Sequence, residues 1–74
     1  MMKVGDLVRA SKSSRGAGKV GVVVKLFEKK IWRTDKLGIR VEWDKIDPEP
    51  VASVLIDNKI LTIPLIDLEV VREV

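Results

Sequence analysis

The stretch Gly16-Ala17-Gly18-Lys19-Val20-Gly21-Val22-Val23-Val24-Lys25-Leu26 constrains this chain more than any other. Val20, Val22, Val24 and Leu26 recur at every second position, which predicts a half-buried strand with those four on its inner face. Glycine ahead of the strand lets the backbone turn at positive φ, and Gly21 inside it points to a bend or bulge. A shorter strand, Lys3 to Ala10, precedes it. The polar, glycine-punctuated run from Ser11 to Gly18 joins the two as a loop.

Further along, Lys29-Lys30-Ile31-Trp32-Arg33-Thr34-Asp35-Lys36 reads as a second basic loop. Gly38 to Asp44 alternates most cleanly, with Ile39, Val41 and Trp43 on one face, and predicts a strand with Trp43 in or near the core. Pro48 and Pro50 exclude the following segment from the middle of a sheet, because proline has no ladder donor. Val51 to Asp57 and Ile60 to Ile63 flank Asp57-Asn58-Lys59, a tight hairpin in which asparagine tolerates left-handed backbone. That register sets Val54 and Ile56 on one face with Leu61 and Ile63. Pro64 to Leu68 then predicts one helical turn, and Leu68 to Val71 a closing strand. No apolar period of 3.6 is sustained, so a long helix is not expected.

Seventy-four residues make one domain, in which only about 60% of the unfolded chain's surface is buried. There is no cysteine or histidine, so neither a disulfide nor a zinc site can assist the core. Val, Ile and Leu must supply it, and an apolar content of 46% makes that feasible. The cysteine-free composition favours a cytoplasmic (host-cell) or virion setting over secretion. No apolar run follows Lys3 as a signal peptide would require, and none is long enough to span a membrane.

Val4-Gly5-Asp6-Leu7-Val8 followed by Gly18-Lys19-Val20-Gly21-Val22-Val23 resembles the KOW segments of ribosomal and transcription-elongation proteins. In those, the loop before the glycine-bearing strand commonly touches RNA or a protein neighbour. Over nearly its full length the chain is similar to short SH3-like proteins encoded in bacteriophage genomes. The shared features are the Lys3-to-Val8 opening, the Gly21-Val22-Val23 strand, Val41-Glu42-Trp43, and the close Pro64-Leu65-Ile66-Asp67-Leu68-Glu69-Val70. The resemblance and the strand spacing together imply an all-β fold: a single small SH3-like five-stranded barrel with at most a short helical turn. Closure of such a barrel removes exposed sheet edges. No defined activity comes with the phage group.

Catalysis finds little footing. Nucleophilic mechanisms need Ser or Cys beside a base, usually His, and Cys and His are both missing. Asp44, Asp47 and Glu49 fit a solvated, proline-rich turn better than acid–base work or a cation loop. Gly16-Ala17-Gly18-Lys19 lacks the Ser/Thr that a phosphate-binding loop places next, and no cofactor motif is present. The expectation is a non-enzymatic protein without metal or cofactor.

Binding is better supported. Residues 1–40 hold eleven Lys/Arg against three acids, a balance of +8, and residues 41–74 hold three against eight, a balance of −5. That split suggests two faces with different partners, docking on a larger protein assembly, or head-to-tail self-association. The alternative is an accessory protein for RNA or single-stranded DNA. Arg9, Lys12, Arg15 and Lys19 flank a loop whose backbone donors could meet phosphates. Lys29, Lys30, Arg33 and Lys36 surround Trp32, and cations beside an aromatic ring suit stacked bases. The competing role for Trp32 is to plug one end of the barrel.

Overall fold

The computed structural model describes residues 2–31 and 43–71. Five strands form one antiparallel sheet: β1 (Leu7–Ala10), β2 (Val20–Lys29), β3 (Glu49–Ile56), β4 (Lys59–Pro64) and β5 (Leu68–Val70). Their order across the sheet is β4-β3-β2-β1-β5. Two single 3-10 turns complete the described elements, Trp43–Lys45 before β3 and Leu65–Asp67 between β4 and β5. The fold is all-β, with five antiparallel strands in one sheet, as expected.

A lone sheet can bury a core only by curling over one of its faces. Val8 and Ala10 of β1, Val23 of β2, Ala52, Val54 and Ile56 of β3, and Ile63 of β4 form the buried cluster. Leu65 of the second 3-10 turn and Leu68 and Val70 of β5 pack against it. Both outermost strands therefore contribute side chains to the same core. Their backbones do not pair, so β4 and β5 remain edges, kept short at six and three residues.

The β3–β4 hairpin follows the expected register, with Val54 opposite Leu61 and Ala52 opposite Ile63. Asp57 and Asn58 form the two-residue turn at φ 50° and 64°, left-handed values that match the twist of the flanking strands. Pro50, the second residue of β3, lies opposite Glu28 and beyond the end of β4, where its missing donor leaves no gap in the β3–β4 ladder.

Three local expectations change. The β1 strand starts at Leu7 rather than Lys3, because Asp6 closes a turn by accepting the Lys3 amide at 2.9 Å. Trp43 and Asp44 lie in a 3-10 turn rather than a strand, and residues 38–42 of that expected strand lie outside the described residues. The third change concerns β2, whose inner and outer faces are exchanged at its start. Gly21 and Val23 face the core, whereas Val20, Val22, Val24 and Leu26 are exposed. Gly21 sits where a Cβ would collide with the Leu55 carbonyl oxygen and lie 2.5 Å from Ile56 Cγ1. It serves close approach of β2 to β3 rather than a bend. The bulge comes three residues later, where the register passes from Val23–Val54 to Lys25–Ser53 and leaves Val24 unpaired.

Candidate binding groove and outer apolar face

The loop from Ser11 to Gly18 is held by its own hydrogen bonds. The Ser11 carbonyl accepts from the Ser14 and Gly18 amides at 3.2 and 3.1 Å and from Ser14 Oγ at 2.8 Å. The Ala17 amide donates to Ser14 O, the Gly16 amide to Ser14 Oγ, and the Lys19 amide to Gly16 O. Most of the backbone donors on which the phosphate expectation rested are thus engaged inside the loop. Gly16 is buried beneath it, where a Cβ would collide with Ala10 and reach 3.1 Å from Ile56 Cδ1. The loop is in this way clamped onto the core, and any ligand must be met by its side chains.

Those side chains do not form one surface. Arg9, on the outer face of β1, lies opposite Glu69 of β5 and pairs with it at 3.7 Å. Lys12 lines a shallow pocket of about 410 Å³ together with Arg9, Asp67 and Glu69. Lys19 reaches Asp57 in the hairpin turn at 2.5 Å. Arg15 alone of the first cluster meets the second. It lines a groove of about 430 Å³ whose opposite wall carries Lys29 and Lys30 at the end of β2. Trp32 and Arg33 lie outside the described residues.

The pairing of Arg9 with Glu69 and of Lys19 with Asp57 has a wider meaning. Strand order places acidic β5 beside basic β1, and β3 beside β2. Among the described residues the two sequence halves are interleaved in space, with Arg9 beside Glu69 and Lys19 beside Asp57. Among the described residues, no group of three or more acids gathers in a way that could hold a metal ion, and no helix is long and apolar enough to cross a membrane.

A second surface comes from the exchanged phase of β2. Leu7 stands opposite Val22, Val22 opposite Leu55, and Leu55 opposite Ile60. All four are exposed, at 41%, 38%, 41% and 65%, and they form one apolar row across four strands. Val20, two residues along β2 and opposite Arg9, widens it. Alternation alone assigns such valines to a core. Only the placement of Gly21 and Val23 inside shows that they face water.

Comparison with known proteins gives no match, whether to a family model, a curated protein or a solved structure.

Proposed function

We propose that this chain is a non-enzymatic SH3-like module that docks on a larger protein assembly through the outer face of its sheet. The row Leu7, Val22, Leu55 and Ile60 carries this reading. Removing apolar surface from water yields roughly 25 cal/mol per Å², and monomeric proteins seldom leave a contiguous patch of more than a few hundred Å² uncovered. The Arg9–Glu69 and Lys19–Asp57 pairs border the row, which gives an apolar centre with a polar rim, the layout of a protein interface. A bacteriophage setting, in the host cytoplasm or the particle, rests on the resemblance of the opening and closing segments to phage-encoded barrels.

The test is affinity capture from the native source after nuclease treatment. The parent chain is compared with Val22→Lys combined with Leu55→Glu, a cross-strand charge pair that preserves the ladder. The expected result is a nuclease-resistant protein partner that the double variant loses while melting like the parent. A partner released by nuclease, or one that the folded variant retains, overturns the reading.

A further inference from the structure

Two loops far apart in sequence build the groove between Arg15 and Lys29–Lys30. Its lining separates by chemistry. Lys30 aside, Arg15 and Lys29 supply two cations against the one carboxylate of Asp67, so the groove is net cationic. Ile31 and Pro64 provide apolar surface beside Ile63, which is itself only 1% exposed. The Thr62 and Ser13 hydroxyls complete the polar part. Arg15 and Lys29 form no ion pair among the described residues, unlike Arg9 and Lys19. Both are exposed.

The strand that leads into the groove adds a second observation. Beyond the bulge, Lys25, Phe27 and Lys29 fall on one face of β2 by its period of two. The Lys25 ammonium lies 5.3 Å from the centroid of the Phe27 ring. A cation–aromatic–cation stripe therefore ends in a cationic groove with an apolar floor. An anionic peptide would need the charges but not the ring, and an isolated phosphate would need neither ring nor floor. A chain that alternates phosphates with flat apolar bases uses all three, and this is how single-stranded nucleic acids are held.

We propose that the groove between Arg15 and Lys29 holds two phosphates of a single-stranded nucleic acid, with the adjoining sugar and base on Ile31 and Pro64. The guanidinium fork of Arg15 suits the phosphate oxygens, and Lys29 acts as a point charge. Arg9, Lys12 and Lys19 take no part. The proposal is independent of the outer apolar row.

Fluorescence anisotropy of labelled oligo(dT) and oligo(U) against the full chain tests it. At about 50 mM salt the parent binds, and the affinity falls with a log–log slope of about −1.4, which corresponds to two phosphates at roughly −0.7 each. Arg15→Gln with Lys29→Gln lowers affinity at least tenfold and flattens the slope. The charge-matched control, Arg9→Gln with Lys12→Gln, leaves both near the parent values. Phe27→Leu weakens binding without changing the slope, because it removes stacking and not charge. Absence of binding at 50 mM salt, equal losses in the two double variants, or equally tight capture of oligoglutamate through Arg15 and Lys29 would each overturn the proposal. All variants are melted first. Arg15 and Lys29 are exposed, so these substitutions leave the fold in place.

Discussion

Gly21 of β2 is packed directly against the carbonyl oxygen of Leu55 on β3, with no room for a Cβ between them. A methyl group there would also come within 2.8 Å of Val54 Cγ1. The obstruction includes backbone, so it cannot be relieved by a rotamer change. Gly21→Ala is expected to cost about 1–3 kcal/mol, the usual range for overpacking. Urea unfolding would show a lower midpoint at an unchanged slope. A parent-like midpoint would mean that β2 and β3 do not approach this closely.

Adjacent residues of β2 should behave in opposite ways. Val23 is 1% exposed and Val22 is 38% exposed. Val23→Asp places an unpaired charge in the core and is expected to abolish the folded state. Val22→Asp leaves the charge in water and keeps a β-dominated circular dichroism spectrum with a cooperative melt. The reverse outcome would restore the alternation that places Val20, Val22 and Val24 inside.

The hairpin turn gives a third test. Asn58 holds φ 64°, a left-handed conformation that costs roughly 1–2 kcal/mol for a residue with an ordinary Cβ. Asn58→Val is expected to lower stability by about that amount, and Asn58→Gly to match or exceed the parent. Thermal melts of the two variants on either side of the parent would establish the turn. Two indistinguishable melts would refute it.

Interleaved charge predicts weak dependence on salt. The Arg9–Glu69 and Lys19–Asp57 pairs are more than half exposed on every side chain, and such pairs contribute about 0–1 kcal/mol. Glu69→Gln should therefore shift the urea midpoint very little. Sedimentation of the chain alone should be the same at low salt and at 1 M, where the Debye length is about 3 Å. Oligomers that dissociate as salt rises would show that opposed charged faces exist after all.

Much of the backbone plan is legible from local chemistry. Asp57-Asn58 between two β-branched runs specifies its turn, and Pro64 announces the 3-10 turn that follows it. The inner face of β2 is hidden for a physical reason. One of its two core positions is glycine, so the true inner pattern, Gly21 and Val23, shows a single apolar side chain, while the outer one shows Val20 and Val22. Counting apolar residues favours the wrong side. The groove is hidden for another reason. Nothing local to Arg15 or to Lys29 encodes their meeting, which follows from the loop from Ser11 to Gly18 folding back over the sheet. Arg9, Lys12 and Lys19 look equivalent to Arg15 in sequence and differ only in which neighbours the strand order provides.

Val24 has a consequence of its own. Without the unpaired residue, a regular ladder of the same length would set Lys25 in place of Leu26 opposite the buried Ala52. The bulge works like a space in a line of text: it carries no pairing itself but keeps every later letter in its proper frame. Deleting Val24 should thus leave the meaning of the strand intact, with Lys25 still opposite Ser53 and Leu26 still opposite Ala52. Adding a residue beside it is a different edit. It would set Lys25 opposite Ala52 unless the strand opened a second gap, and the tolerance of β2 to length changes should be correspondingly one-sided.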